Sequence, residues 1–204
     1  MLTVEDVDRA CSLIEGHVRK TPVIAFEGGL DETVSLKLEM LQHAGSFKPR
    51  RAFNGLLGAA ASGPLPAEGV IAASSGTRGL AVAHLARRLG IPAQIFVPEA
   101  ALTVKVARIR ALGATVTVTG AMYADAYDAC LRHAATSGAL LVHAYDQPEV
   151  VAGQGTFGPR ADSRPDTDQA GLTSVPWWNT IRQPDAARLQ MVDRRVTLVS
   201  WRKV

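Results

Sequence analysis

Short runs of branched apolar residues alternate with longer amphipathic runs along most of this sequence, as far as Thr156. The short runs have the length and composition of buried strands, and the longer runs have the periodicity of helices. Three amphipathic runs end at a glycine, the residue that commonly closes a helix: Gly90, Gly113 and Gly138. Strands that alternate with helices form βαβ units with parallel strands. We therefore predict an α/β fold, with an open parallel sheet and flanking helices.

The same patterns predict the bounds of each element. Thr3 and Asp6 have the spacing of a capping box, so a helix should begin there and bury Val7, Ala10 and Ile14. Strands are predicted at 23–26, 34–38, 69–73, 93–97, 115–119 and 140–143. Helices are predicted at 47–61, 78–89, 103–112 and 121–137, with another that begins at Pro148.

The pattern ends at about residue 157. The tail, 157–204, contains all three tryptophans, no glutamate and four of the eleven prolines. One interpretation is an irregular segment or linker. Another is a sequence that did not evolve with the first 156 residues, for example because of a shifted reading frame. A third is an interaction module, in which Trp177, Trp178 and Trp201 anchor a protein partner.

Composition and charge restrict the function classes. The formal net charge of +3 comes from the tail, because residues 1–156 contain 14 basic and 14 acidic residues. A neutral body argues against nucleic-acid binding. No apolar run can span a membrane and the N-terminus does not resemble a signal peptide, so we expect a cytoplasmic protein. The distant Cys11 and Cys130 fit reduced thiols, and the histidine spacings predict no metal site.

Lys48 is a candidate reactive amine. It follows Phe47 and precedes Pro49, and proline is well tolerated in the first turn of a helix. Partial burial beside Arg50 and Arg51 would lower the pKa of Lys48 and favour its covalent attachment to a carbonyl carbon. Phe47 could cover one face of a flat cofactor. Judged by composition alone, a solvated basic surface is the preferred interpretation of this run.

A turn of small residues, with the sequence SSGT at 74–77, follows a predicted strand and precedes a predicted helix. The N–H groups and the dipole at the start of a helix favour a carboxylate or phosphate. The hydroxyl groups of the turn add hydrogen-bond donors, and Arg78 adds a positive charge. Gly76 and Gly79 would let the backbone approach a ligand closely. In the alternative interpretation, the serines only cap the helix.

Six motifs follow one another in a fixed order. They are Thr21-Pro22-Val23, Leu36-Lys37-Leu38-Glu39-Met40-Leu41-Gln42, Gly45-Ser46-Phe47-Lys48, Ser74-Ser75-Gly76, Lys105…Arg108…Gly113-Ala114 and Ala152-Gly153-Gln154-Gly155-Thr156. In this order and spacing they resemble the serine/threonine dehydratases of the fold-type-II pyridoxal-phosphate family, which also includes serine racemase and threonine synthase. The resemblance covers residues 1–156 and implies a tryptophan synthase β-like fold.

The resemblance implies the cofactor pyridoxal 5'-phosphate and a role for each site residue. Lys48 would hold the cofactor covalently and then take the α-proton of a small amino-acid substrate. Phe47 would lie beside the cofactor ring, and Thr77 stands where the family usually has an asparagine that binds the cofactor. Ser75 stands where family racemases have their second catalytic base. The substrate carboxylate would be bound by the residues of the turn, Ser75, Gly76, Thr77 and Arg78.

The implied reaction converts L-threonine or L-serine to a 2-oxo acid and ammonia. Four residues depart from the family pattern. Met40 and Thr77 replace an asparagine, Arg51 replaces a glycine, and Arg78 replaces a histidine. The family also continues past Thr156 with a glycine-rich loop for the cofactor phosphate, and this sequence has no counterpart of that loop. The alternatives are therefore a truncated, non-catalytic remnant of the family and, for the reaction itself, a serine racemase.

The resemblance also implies how the chain is divided. We expect the N-terminal part of a large cofactor domain at 1–47, a small α/β domain at 48–145, the start of the returning large domain at 146–156, and a divergent tail at 157–204. The large domain would be incomplete and would expose apolar edges at 23–26 and 34–38. Self-association, including a homodimer, is therefore expected.

Overall fold

The computed structural model describes residues 2–26, 34–74, 76–142 and 147–158, together with a strand pair at 191–192 and 195–196. Within these ranges, the predicted order of helices and strands is confirmed. Ser75 and the three tryptophans of the tail lie outside the described residues, so their predicted roles are not addressed by the structure.

Helix α1, Val4–Ile14, begins at the predicted capping box. The amide of Asp6 donates to Thr3 Oγ1 at 3.3 Å, and the amide of Thr3 donates to Asp6 Oδ2 at 2.9 Å. These bonds satisfy N–H groups that have no partner within the helix, and so they fix its starting point. The buried face consists of the three predicted residues, Val7, Ala10 and Ile14.

Four parallel strands form the central sheet, in the spatial order β5-β4-β3-β6. They are β3 (Val70–Ala73), β4 (Ala93–Val97), β5 (Thr115–Val118) and β6 (Leu140–Leu141). The chain adds β4 and β5 on one side of β3 and then returns to place β6 on the other side. The order of the strands therefore reverses between β3 and β6. In open α/β sheets, ligands bind at such a topological switch point, beyond the carboxyl ends of the strands.

Helices cover both faces of this sheet. They are α2 (Lys48–Ser62), α3 (Thr77–Leu89), α4 (Thr103–Ala111) and α5 (Tyr123–Ser137). Helix α6 (Pro148–Gly155) packs on α2 and α1. Alternate side chains of β3 point to opposite faces. Val70 and Ala72 join the core formed with α2, α3 and α4, whereas Ile71 and Ala73 pack with Cys130 of α5. Every residue of β3 is buried, as is typical of a central parallel strand.

Strands β1 (Val23–Phe26) and β2 (Val34–Lys37) form a separate antiparallel ribbon. It is attached to the preceding chain, because the amide of Leu38 donates to the carbonyl of Pro22 at 2.9 Å. Val23 is 54% exposed and Ile24 is 43% exposed. Two further strands, β7 (Met191–Val192) and β8 (Arg195–Val196), also pair antiparallel; the sequence patterns did not predict β7.

Two glycines allow α6 to pack closely against its neighbours. A Cβ atom on Gly153 would lie 2.7 Å from Cα of Arg51 and 2.7 Å from Cβ of Asn54, both on α2. A Cβ atom on Gly155 would lie 2.5 Å from a methyl group of Val7 on α1. Real Cβ atoms do not approach other atoms so closely, so both positions require glycine. The last of the six motifs therefore has a packing role.

A buried ion pair connects the N-terminal segment to α2 and α6. The side chain of Arg50 is 1% exposed, and its Nε and Nη2 donate to the two carboxylate oxygens of Glu39 at 2.9 and 2.8 Å. Nη2 also donates to the carbonyl of Arg19 at 3.3 Å, and Nη1 donates to the carbonyl of Thr156 at 3.2 Å. The hydroxyl of Thr21 completes the group with a 2.5 Å bond to Glu39.

Both cysteines are free thiols, as predicted. Burial raises the pKa of Cys11 and of Cys130 to about 11, which keeps both thiols protonated and unreactive at neutral pH. Among the helices of the described residues, none is both long and apolar enough to cross a bilayer.

Candidate active site

Ser74 organises the turn at the switch point of the sheet. Its Oγ accepts hydrogen bonds from the amides of Gly76 at 3.0 Å and Gly79 at 2.7 Å, and it donates to the carbonyl of Gly76 at 3.2 Å. The hydroxyl of Ser74 is therefore committed to capping α3, as the alternative interpretation of the turn predicted. The neighbouring candidate, Ser75, lies outside the described residues.

The two glycines of this turn have different roles. A Cβ atom on Gly79 would lie 2.9 Å from side-chain atoms of both Ile95 and Ile109. Gly79 therefore serves the packing of α3 on the sheet, and its role in the approach of a ligand stays a prediction. A Cβ atom on Gly76 would lie 3.1 Å from Nζ of Lys105. The missing side chain of Gly76 thus lets Lys105 extend across the turn.

Lys48 is the first residue of α2 and is half-buried. Burial, followed by the positive charges of Arg51, Lys105 and Arg78, lowers the pKa of Lys48 to about 8. The predicted direction of this shift is confirmed. Nζ of Lys48 lies 4.9 Å from the centre of the Phe47 ring. Because much of the amine is neutral near pH 8, Lys48 can attack a carbonyl carbon under mild conditions.

Of the two arginines that follow Lys48, Arg51 and not Arg50 places its charge beside the amine. Successive residues of a helix point about 100° apart. Arg50 therefore faces the buried ion pair with Glu39, and Arg51 lines the groove next to Lys48. With Pro49 and Arg50 both buried, the interpretation of this run as a solvated basic surface is wrong.

Arg78 bridges the two strands at the switch point. Its Nη1 donates to the carbonyl of Ala73 at 3.3 Å and to the hydroxyl of Tyr123 at 3.5 Å. Its Nη2 donates to the carbonyl of Val142. These contacts join the carboxyl ends of β3 and β6 to the start of α5. The role of Arg78 in binding a substrate carboxylate stays a prediction.

A groove of about 440 Å³ opens beside Lys48. Its walls come from α2, α3, β6 and the beginning of α6, and its volume is in the usual range for small-molecule sites. The polar side chains that line it are those of Lys48, Arg51, Ser62, Arg78, Gln147 and Glu149. The structure thus brings Lys48 and Arg78 to one groove, with Thr77 in the adjoining first turn of α3.

Lys105 is the residue of this site that the sequence analysis missed. It was noted within a motif, but no role was predicted for it. Lys105 lies near the beginning of α4, the helix that follows β4. In a parallel sheet, the carboxyl ends of neighbouring strands lie at the same edge. A polar residue near the start of α4 is therefore close to the turn after β3, and this rule could have identified Lys105.

Comparison with known proteins identifies the family. A family model described as pyridoxal-phosphate dependent enzyme matches residues 14–173, which is most of the chain. The chain belongs to this family. Pyridoxal 5'-phosphate is the family's cofactor. The residues described above suit the end of the cofactor that carries its aldehyde group. Lys48 would supply the amine and Phe47 an adjacent ring, and the surrounding cations suit a negatively charged molecule.

Characterised members of the family match the same part of the chain. L-threonine ammonia-lyase of Thermotoga maritima is 40% identical over 162 residues, which are 78% of this chain and 40% of that protein. L-threo-3-hydroxyaspartate ammonia-lyase of a Pseudomonas species is 39% identical over 154 residues, which are 74% of this chain and 48% of that protein. The chain therefore spans less than half the length of these relatives.

Solved structures of family members confirm the fold class. A pyridoxal 5'-phosphate-dependent aspartate racemase superposes with a TM-score of 0.71 at 32% identity and covers 76% of this chain and 49% of its own. Serine racemase from maize superposes with a TM-score of 0.70 at 28% identity and covers 76% and 48%. The fold is therefore the fold-type-II architecture, present here in part.

Proposed function

We propose that this chain carries the lysine-bearing part of a pyridoxal-phosphate-dependent ammonia-lyase site, which converts L-threonine or L-serine to a 2-oxo acid and ammonia. The position of Lys48 is the main support. Its half-buried amine has a lowered pKa, borders a groove and lies close to the turn at the start of α3. The L-threonine ammonia-lyase of Thermotoga maritima supports the reaction class.

Each residue of the site has a defined task in this reaction. Pyridoxal phosphate, when bound, supplies the electron sink for the bond that breaks at the α-carbon. Lys48 Nζ would hold the cofactor and, once released by the substrate amine, would take up the α-proton. A pKa of about 8 suits this base because it lies near the working pH. The start of α3 would bind the substrate carboxylate through the helix dipole and the N–H group of Thr77, because the N–H group of Gly76 is already bonded to Ser74 Oγ.

We also propose that the chain is divided into parts of two domains. Residues 48–145 would form the small domain, which is supported by the position of the whole parallel sheet between Val70 and Leu141. Residues 1–47 and 146–156 would belong together in the larger domain. The bonds from Arg50 to the carbonyls of Arg19 and Thr156 support this grouping, because they hold both segments at one point.

Trapping of the cofactor on a lysine tests the proposal. The chain is incubated with pyridoxal phosphate, reduced with borohydride and mapped by peptide mass spectrometry. We expect one dominant adduct, on Lys48, and we expect its loss in Lys48→Ala. The matched control is Lys20→Ala, which removes an exposed lysine and should leave the adduct in place. Labelling scattered over many lysines, or unchanged in Lys48→Ala, would refute the proposal.

A non-catalytic remnant is the second candidate, and the departures from the family pattern at Arg51, Thr77 and Arg78, beside the candidate amine and in the turn, favour it. Production of 2-oxo acid from threonine and serine separates the two candidates. An adduct on Lys48 without 2-oxo acid would favour the remnant, whereas an adduct with turnover would favour the lyase.

Racemisation of serine is the third candidate, supported by the similarity to serine racemase from maize. Chiral chromatography would detect D-serine formed from L-serine. In that case Ser75→Ala should stop racemisation, because a racemase needs a base on each side of the α-carbon. Racemisation that continues in Ser75→Ala would exclude that role for Ser75.

A further inference from the structure

Arg78 occupies a position where a positive charge is unfavourable. It is the second residue of α3, and the dipole of a helix gives its first turn a partial positive charge. Arg78 is also only 9% exposed, so water solvates its charge poorly. A buried cation at the start of a helix needs hydrogen-bond acceptors from the rest of the fold. The acceptors that Arg78 uses therefore indicate what the residue contributes.

The guanidinium of Arg78 spans the crevice at the switch point of the sheet. Its Nη1 donates at 3.3 Å to the carbonyl of Ala73, the last residue of β3, and its Nη2 donates to the carbonyl of Val142, which follows β6. Nη1 also donates at 3.5 Å to the hydroxyl of Tyr123, the first residue of α5. Because the guanidinium is planar and rigid, it holds the ends of the two strands at a fixed separation.

These bonds extend a short strand pairing. The register pairs of β3 and β6 end at Ile71 and Leu141, and the amide of Val142 donates to the carbonyl of Ile71 at 2.9 Å. Arg78 carries the connection two residues further along β3, to Ala73. The carboxyl ends of both strands are therefore held together at the edge where the fold binds ligands.

The end of β3 continues directly into the turn at the start of α3. Ala73 is followed by Ser74, whose Oγ accepts hydrogen bonds from the amides of Gly76 and Gly79. The turn must therefore move with the end of β3. The charge of Arg78 belongs to the same site, because Arg78 and Lys48 line one groove and this charge acts on the amine.

We propose that Arg78 is a positioning residue, whose guanidinium holds the ends of β3 and β6 together and keeps the turn and a positive charge in place beside Lys48. This role differs from the one that the resemblance implies, in which Arg78 itself binds the substrate carboxylate. It deepens the proposed function and rests on it only in that the turn and Lys48 belong to a catalytic site. The positions of the strand ends and of the charge are measured without cofactor or substrate.

Amide hydrogen exchange of the full chain, followed by NMR, tests the contact between the strand ends. Arg78→Lys keeps the positive charge and lacks the planar fork. We expect the amides of Gly76 and Val142 to exchange about tenfold faster in this variant, the effect of losing one charge-assisted hydrogen bond. Arg78→Gln should have at least the same effect. The matched control is Arg132→Lys, at an exposed position of α5, which should leave both amides unchanged.

Competitive acetylation with acetic anhydride tests the position of the charge, because it reports the pKa of the Lys48 amine directly. Arg78→Gln should move the midpoint of Lys48 acetylation to higher pH, since it removes a neighbouring positive charge. Arg78→Lys should move it less, and Arg132→Gln should not move it. A side chain that served packing alone would leave the midpoint unchanged in all three variants. Circular dichroism verifies that each variant is folded.

The outcomes separate this proposal from its rival and from the proposed function. Unchanged exchange at both amides in folded Arg78→Lys and Arg78→Gln would overturn it, and so would an unchanged Lys48 midpoint in Arg78→Gln. Weaker binding of L-serine in both variants, with unchanged exchange, would assign Arg78 to the substrate carboxylate instead. Neither measurement uses pyridoxal phosphate. The positioning role can therefore hold if the cofactor fails to label Lys48, and it can fail while the lyase proposal stands.

Discussion

Desolvation and positive charge both act on the amine of Lys48, and both favour its neutral form. An ordinary lysine has a pKa of about 10.4 and is almost fully protonated at pH 8. Lys48, with a pKa of about 8, is half neutral there. At the scale of single residues, this difference is the property that separates Lys48 from an ordinary surface lysine.

The pH dependence of cofactor trapping follows from this pKa. Only the neutral amine reacts, so the initial rate of Lys48 labelling should rise through about pH 8 and level off above it. Lys105→Gln removes a neighbouring positive charge, so the pKa should rise and the curve should move to higher pH. Rates measured by peptide mass spectrometry between about pH 6 and 10 provide the check. A midpoint near that of an ordinary lysine would contradict the assigned environment.

The residues of the site were only partly predictable. The aromatic neighbour of Lys48 and the direction of its pKa shift followed from local sequence. Which of the two following arginines faces Lys48 did not, because the rotation of α2 about its axis depends on tertiary packing. Both Arg50 and Arg51 were expected beside Lys48, but of the two Arg51 lies there and Arg50 pairs with Glu39.

At the scale of elements, the contact between α2 and α6 places the tightest limit on side-chain size. Gly153 meets the backbone of Arg51 and the Cβ atom of Asn54, and backbone atoms cannot move aside as a flexible side chain can. Nδ2 of the Asn54 side chain also donates to the carbonyl of Glu149 at 2.7 Å, which fixes the start of α6 against α2. Any side chain at Gly153 therefore forces the helices apart.

Two glycine-to-alanine variants should have opposite effects on stability. Gly153→Ala should lower the free energy of unfolding by about 1–3 kcal/mol, because the new methyl group overlaps α2. Gly58→Ala, in α2, should raise it by about 0.4–1 kcal/mol, because its Cβ atom meets nothing within 4 Å and alanine favours the helix. Urea denaturation measures both. A neutral Gly153→Ala would show that the two helices separate easily.

Element bounds were predictable where a local signal exists. The capping box at Thr3 and the closing glycines act through neighbouring residues, so these helix ends agree with the structure. The short strand β6 was predicted as 140–143; in the described part of that range, which ends at Val142, the ladder pairs Leu140 and Leu141 with β3. The length of a strand depends on its partner, and single-sequence patterns do not contain that information.

At the scale of the whole molecule, the ion pair of Arg50 and Glu39 joins segments that are distant in sequence. Its carboxylate and guanidinium are both almost fully buried, so neither charge can be solvated by water if the other is lost. The pair therefore controls whether the N-terminal segment and α6 stay attached to α2.

Neutralising one partner should be strongly destabilising. We expect Glu39→Gln to cost about 3–5 kcal/mol, because it leaves the charge of Arg50 buried without its carboxylate. Replacing both partners, by Glu39→Leu with Arg50→Met, should cost less than the single change. Arg9→Ala is the surface control: it removes an exposed ion pair with Asp6 and should change the stability far less than Glu39→Gln. Thermal unfolding compares the variants. A double variant less stable than Glu39→Gln would contradict this account.

Self-association should depend on the ribbon of β1 and β2. A two-stranded ribbon with exposed Val23 and Ile24 offers an apolar edge to a second molecule. Val23→Thr with Ile24→Thr should weaken association measured by sedimentation equilibrium. The control is Val104→Thr, an equally exposed valine on α4, which should have no effect. A wild-type chain that is monomeric at all concentrations would contradict the prediction.

The bond from Arg50 to the carbonyl of Thr156 spans 106 residues, whereas the pairing of Arg50 with Glu39 spans 11. A ribosome makes the chain from its N-terminus, so the short-range pair can form long before the distant carbonyl exists. Contacts of such wide sequence separation also slow folding. During synthesis, the guanidinium of Arg50 therefore lacks one of its hydrogen-bond acceptors, and it stays hydrated until α6 has been made. Chaperone dependence in the cell should accordingly be greatest for chains whose translation pauses before Thr156.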